Sequence, residues 1–157
     1  MKQKILFICL GNICRSPAAE GVFRALVEQR DKTDLFEIDS AGIGSWHAGQ
    51  LPDVRMRRTG AKRGYNFDSR ARQITQQDFR DFDAIYAMDE ENVYDLQRLA
   101  PAGTAQKIHR LSDFIQTRNA TTIPDPYYGD ERDFEYALDL IEEACENLLD
   151  SLLKATK

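Results

Sequence analysis

Long apolar runs are missing from this chain. The stretch Ile5 to Leu10 is stopped by Gly11 and Asn12, far short of the roughly 20 apolar residues that a membrane-spanning helix needs. It is also too short, and wrongly flanked by Met1-Lys2-Gln3-Lys4, for a secretory signal. No membrane association and a cytoplasmic location are therefore expected. Cysteine is scarce as well. Cys9, Cys14 and Cys145 cannot all pair within one chain, and two of them flank a Gly-Asn turn, which excludes a disulfide framework and suits a reducing compartment. Positive charge is not in excess: the formal net charge is −5, which argues against nucleic acid as a partner. An anionic ligand must then be drawn to a local positive site. Histidine occurs only as His47 and His109, without metal-ligand spacing, so both read as ordinary polar residues and neither metal nor cofactor is expected. Repeats, low-complexity tracts and linkers are lacking too. With 157 residues, 42% of them hydrophobic and 30% charged, one domain over residues 1–157 is the natural organisation.

What is present alternates in kind. Ile5-Leu6-Phe7-Ile8-Cys9 is a continuous apolar run of strand length, the pattern of a strand covered on both faces. From Ser16 the pattern becomes helical, with Ser16 as cap, Pro17 at the first helical position and apolar residues at Ala19, Val22, Phe23, Leu26 and Val27. Further strands are expected at Phe36 to Ala41, Ala84 to Met88 and, short and polar enough for a sheet edge, Lys107 to Leu111. Helical segments are expected near 51–63 and 89–100. The best-marked helix is the last, with Phe134, Leu138, Ile141, Cys145, Leu148 and Leu152 spaced three and four apart. Strands alternating with helices imply crossover units, hence a parallel sheet with helices on both sides. Ligands in such sheets sit beyond the carboxyl ends of the strands, where the loop from Leu10 to Arg15 falls.

That loop reads Cys9-Leu10-Gly11-Asn12-Ile13-Cys14-Arg15-Ser16-Pro17. Each feature has a reason if the ligand is a phosphate group. A tight loop turns successive backbone N–H groups inward, and the helix start adds free donors and a positive dipole end. The same surroundings make Cys9 a ready nucleophile. Arg15 brings a planar fork that matches two phosphate oxygens. Ser16 is placed to donate to the Cys9 sulfur, and Asn12 can take a left-handed conformation at modest cost. A buried Cys at a strand end and a Gly-Asn turn are individually commonplace; it is their order, from apolar strand through Arg-Ser-Pro into an amphipathic helix, that points to chemistry.

The segment Cys9 to Pro17 resembles the signature loop of the low-molecular-weight protein tyrosine phosphatases. Asp39-Ser40-Ala41-Gly42, Ala71-Arg72-Gln73-Ile74, Ala87-Met88-Asp89 and Asp125-Pro126-Tyr127-Tyr128-Gly129 follow in that family's order and rough spacing. With the resemblance, the expected fold is α/β, three-layered, a central four-stranded parallel sheet in order 2-1-3-4 with helices on both faces. The implied activity is hydrolysis of phosphotyrosine and small aryl phosphates through a phosphocysteine on Cys9. Arg15 would bind the phosphate, assisted by Leu10, Gly11, Asn12, Ile13, Cys14 and Ser16.

A tyrosine leaving group has a pKa of about 10, so expelling it calls for a general acid. Asp125, between Pro124 and Pro126, is read from the residues alone as a turn residue or as that acid. The resemblance favours the acid, acting afterwards as base. Asp89 reads as a helix cap or as a support of the site, and Ser40 as a turn former or a brace for Asn12. Leu10, Trp46, Tyr127 and Tyr128 are core or rim packing on their own terms; by resemblance they are the walls of a slot deep enough to reject phosphoserine. Cys14 either packs beneath the loop or traps an oxidised Cys9 as a disulfide, and Cys145 is structural. Ser69 stands where some relatives carry a loop-bracing His. The basic cluster Arg55, Arg57, Arg58, Lys62 and Arg63 reads as a solvated helix face in preference to a steering patch.

Three rivals are weaker. An arsenate reductase needs a cysteine relay in a mobile segment, and Cys145 lies in a helical repeat. A phosphoarginine phosphatase resembles a loop with Thr where this chain has Ile13. A phosphate-binding module has no need of both Cys9 and Arg15. The expected partners are phosphotyrosine proteins, with a tyrosine kinase among the candidates, and the expected state is a monomer or weak dimer.

Overall fold

The structure, a computed structural model, describes residues 2–117 and 119–155. Strand β1 (Gln3–Cys9) lies at the centre of the sheet. It pairs in parallel on one side with β2 (Phe36–Gly42), setting Ile5 beside Ile38 and Cys9 beside Gly42, and on the other with β3 (Ala84–Ala87). The short β4 (Ile108–Arg110) completes the sheet at the edge of β3. The order is β2-β1-β3-β4, the expected 2-1-3-4. Ile5, Leu6, Phe7 and Ile8 have no exposed surface, because a central parallel strand is covered above and below.

The period of two along β1 divides the core. Ile5, Phe7 and Cys9 pack with α1 (Arg15–Gln29) and α5 (Glu131–Ala155). Leu6 and Ile8 face the other way, toward Phe79 of α3 (Gln76–Asp81) and Leu96 of α4 (Glu90–Leu99). Helices thus cover both faces. On α5, Phe134, Leu138, Ile141, Cys145 and Leu148 are fully buried and only Leu152 is half-buried; each large apolar side chain contributes roughly 1.5–3 kcal/mol by leaving water.

Three local readings change. Helix α1 starts at Arg15, and its cap residue, Cys14, makes no side-chain capping bond. Ser16 lies inside the first turn because its hydroxyl is engaged by Cys9 and Asn12 instead. Helix α3 was not expected from its polar sequence; it is started by a reciprocal pair of bonds between Thr75 and Asp78. The basic helix α2 (Val54–Lys62) is less solvated than its charge implies. Lys62 meets Glu131 at 2.5 Å, and Arg63, just beyond the helix, meets Glu135, Asp139 and Glu142 at 2.5–3.1 Å. Acidic residues of α5 thereby tie α2 down.

Candidate active site

The loop between β1 and α1 is held from outside by its carbonyl groups. Cys9 O accepts from Ile43 N, Leu10 O from Gly44 N, and Ile13 O from Asp53 N, at 2.7–3.0 Å. In a planar trans peptide the N–H points opposite the C=O, so the amides of Leu10, Gly11 and Cys14 turn toward the inside of the loop. Asn12 takes the left-handed conformation, φ 58°. Its side chain faces backward: Nδ2 donates to Ser16 Oγ at 2.7 Å and to Ser40 Oγ at 3.0 Å, while Oδ1 accepts Arg72 N–H at 3.0 Å. Gly42 lets the strand approach this closely, for a Cβ there would stand 3.0 Å from Gly11 C and 3.1 Å from Asn12 N.

Inside the loop, Cys9 Sγ lies 3.1 Å from Ser16 Oγ. Arg15 is 2% exposed. Its Nη1 donates to Asp89 Oδ2 at 2.7 Å and to Ile123 O at 2.8 Å, and its Nη2 stands 3.7 Å from Asp125 Oδ2. Its buried Nε–H has no partner within the described residues, a donor of the kind an oxyanion satisfies. Burial works against the Arg15 charge, but the Cys9 sulfur, Asp89 and Asp125 outweigh it and hold its pKa above the ordinary value. Asp89 makes two contacts at once: Oδ1 caps α4 by accepting Asn92 N–H at 2.8 Å, and Oδ2 accepts from Arg15 Nη1.

Cys9, Leu10, Gly11, Ile13, Cys14, Arg15, Trp46, Asp125, Tyr127 and Tyr128 line one cleft of about 330 Å³. Asn12, Ser16, Ser40 and Asp89 stand behind it and hold those residues in place. Trp46 and Tyr128 are among the most exposed large apolar side chains, and Tyr127 and Tyr128 meet edge to face with ring centres 4.9 Å apart. The Arg55 guanidinium lies 5.4 Å from the Tyr127 ring and 4.6 Å from Phe134, so this member of the basic cluster braces the wall. Cys14 is buried; burial first, then Asp53 and Cys9, push its thiol well above the ordinary range.

One cleft residue escaped the sequence reading. His47, taken there as an ordinary polar residue, lines the cleft with its ring 6.3 Å from that of Tyr127 and its Nδ1 3.1 Å from Gln50 Oε1. The only local signal is its place next to Trp46. His109 stacks on Tyr86. Among the described residues no cluster of His, Cys, Asp and Glu could hold a metal ion, and no helix is long and apolar enough to cross a membrane.

Residues 4–157 match the family model of low molecular weight phosphotyrosine protein phosphatases. The chain belongs to that family. A low molecular weight protein-tyrosine-phosphatase of Bacillus subtilis is 42% identical over 96% of this chain and 96% of its own. The crystal structure of a protein tyrosine phosphatase from Entamoeba histolytica, with Hepes in its active site, is 46% identical and covers 99% of this chain and 100% of its own, with a TM-score of 0.96. The Drosophila arginine phosphatase is 36% identical, covers 97% of this chain and 98% of its own, and has a TM-score of 0.89. The chain is accordingly a hydrolase of the tyrosine phosphatase family, and the Drosophila neighbour shows that the fold also accompanies a different phosphorylated residue.

Proposed function

We propose that this phosphatase hydrolyses phosphotyrosine and small aryl phosphates through a phosphocysteine on Cys9. The observation that carries the proposal is the pairing, in one cleft, of Cys9, held by Ser16, with a buried Arg15 whose Nε–H lacks a partner among the described residues. The inward amides and the Arg15 fork take the non-bridging phosphate oxygens. Cys9 Sγ attacks phosphorus; the P–O bond to the phenol breaks, and Asp125 gives the leaving oxygen its proton. The Asp125 carboxylate then takes a proton from water, whose oxygen attacks phosphorus. The S–P bond breaks, and Ser16 steadies the departing sulfur. The opening beside Trp46 and Tyr128 suits an aryl phosphate long enough to reach Cys9. Apolar Ile13 in the cleft favours tyrosine over phosphoarginine.

Phosphotyrosine proteins, a tyrosine kinase among them, are the partners this reading implies. Three free cysteines suit a cytoplasmic enzyme, and Cys9 and Cys14 in one loop suit reversible disulfide control. The test is turnover of p-nitrophenyl phosphate and of phosphotyrosine, phosphoserine and phosphoarginine peptides by wild type and Cys9→Ser, with mass spectrometry of acid-quenched protein. Phosphate on Cys9 and no turnover by Cys9→Ser are expected. An active serine variant rejects the mechanism, and preference for phosphoarginine rejects the substrate class.

A further inference from the structure

The turn that presents Asp125 is shaped by its own bonds. Tyr127 N–H donates to Asp125 Oδ1 at 3.1 Å, and Gly129 N–H to Pro126 O at 2.8 Å. Both bonds lie within residues 125–129, so they fix the form of the turn without fixing its distance from Cys9. Its entry is anchored by Ile123 N–H, which donates to Met88 O at 2.9 Å. Beyond Asp125, the Tyr127 ring meets the Arg55 guanidinium at 5.4 Å, within the range of a cation–π contact. Arg55 is itself held on two sides. It lies 4.6 Å from the ring of the fully buried Phe134, and the Asp53 carboxylate accepts from its Nε at 3.1 Å and from its Nη2 at 2.9 Å. Asp53 in turn donates its backbone N–H to Ile13 O at 2.7 Å. A connected path therefore runs from the loop after Cys9 through Asp53 and Arg55 to Tyr127 and Asp125.

We propose that Arg55 is a positioning residue that holds the Tyr127 ring and so sets where the Asp125 carboxyl stands relative to Cys9. The proposal rests on Asp125 as general acid. A guanidinium suits the task because it binds both Asp53 oxygens through its edge and still lies over an aromatic ring. Without it the turn keeps its shape but loses the contact that places it, and a misplaced acid costs most where the leaving group most needs a proton. A residue that only packed the cleft wall would slow every substrate alike. Loss of Arg55 should instead cost more as the leaving phenol becomes less acidic.

The measurement is kcat/KM, which covers the steps up to departure of the phenol, for a series of aryl phosphates from phenyl phosphate to p-nitrophenyl phosphate. Asp125→Ala is the reference, with its largest loss on phenyl phosphate. Arg55→Met, uncharged but of similar reach, should lower kcat/KM about tenfold for phenyl phosphate and less than about threefold for p-nitrophenyl phosphate, with the fold retained by circular dichroism. In the Asp125→Ala background, Arg55→Met should add no dependence on the leaving group, since the acid it places is gone. Tyr127→Leu breaks the same contact from the other side and decides the matter if Arg55→Met does not fold. It should show the same added dependence on the leaving group, on top of a uniform loss from the missing wall. An equal loss for every ester in Arg55→Met or Tyr127→Leu, no loss in either, or added dependence in the Arg55→Met, Asp125→Ala double variant overturns the proposal. A uniform loss in Asp125→Ala itself is a distinct result, and it overturns the reading of Asp125 as acid along with the proposal.

Discussion

Cys9 is 3% exposed at the end of a strand paired on both sides, whereas Asp125 leaves 40% of its side chain open on a loop tied at Ile123 N to Met88 O and at Tyr127 N to its own carboxylate. Two walls of one cleft are thus built differently. The Cys9 side is fixed by carbonyl bonds from outside and by Asn12 from behind, so under the proposed mechanism its donors need no rearrangement as charge develops on the phosphoryl oxygens. The Asp125 side meets water, as the proposed exchange of a proton in each cycle requires. Changes at Asp125 should therefore alter rate and leave the fold alone, while changes in direct contact with the loop from Cys9 to Arg15 should alter both.

The largest effect is expected on the exposed wall. Asp125→Ala should lower kcat for phosphotyrosine peptides by about 10²–10³-fold, with the thermal midpoint within about 2 °C of wild type because the side chain buries little. The loss should shrink for an aryl phosphate whose phenol is more acidic, since such a leaving group needs less protonation. A loss independent of leaving group would remove Asp125 from the role of acid. Next comes Asp89→Asn, where the walls touch through Arg15. Asparagine can still cap α4, but its amide cannot balance the Arg15 charge. The cost should be about 10–50-fold, mainly in kcat/KM, with the helix retained by circular dichroism. Gly42→Ala should cost about tenfold in kcat and also about 1–3 kcal/mol of stability, as the new methyl meets Gly11 and Asn12 backbone at 3.0–3.1 Å. Denaturant unfolding beside steady-state kinetics checks that both fall together.

The same contrast governs what could be read from sequence. β1 and α5 were legible because burial imposes a pattern: five consecutive apolar residues for a strand covered twice, and a three-and-four spacing for a helix with one buried stripe. The loop proposed to bind phosphate was legible because its residues are contiguous, from Cys9 to Ser16. The features that were hidden depend on contacts between distant segments. His47 reaches the cleft only because its loop folds over Gly11, where a Cβ would stand 3.1 Å from the His47 ring. Glu20 reads as an ordinary early-helix acid until β2 brings Ser40 beside it. The capping and Arg15-binding roles of Asp89 looked like alternatives, yet a carboxylate has two oxygens and serves both. Helix α3 has six residues and one buried aromatic, too few for a period to emerge.

The smallest effect should come from the outermost support of the phosphate loop. The backbone N–H of Arg72 holds Asn12, and its guanidinium grips Asp78 at 2.9 and 3.1 Å and Asp39 at 3.0 Å. Burial opposes ionisation of Asp78, but the Arg72 fork and the Thr75 backbone and hydroxyl outweigh it, so its carboxyl titrates below the ordinary carboxylate value. A folded-state pKa below the unfolded one adds stability that is complete above the unfolded value, near pH 4, and is lost as pH falls through the folded value. Wild type should therefore lose stability on acidification below about pH 4 more steeply than Asp78→Asn. At pH 7 the variant should unfold about 2–4 °C lower, because asparagine cannot pair with the Arg72 charge. Parallel melts from pH 3 to pH 7 decide the point: equal slopes would detach Asp78 from the acid response. Activity at pH 7 should change less than about twofold, since the Arg72 N–H bond to Asn12 does not pass through the substituted side chain.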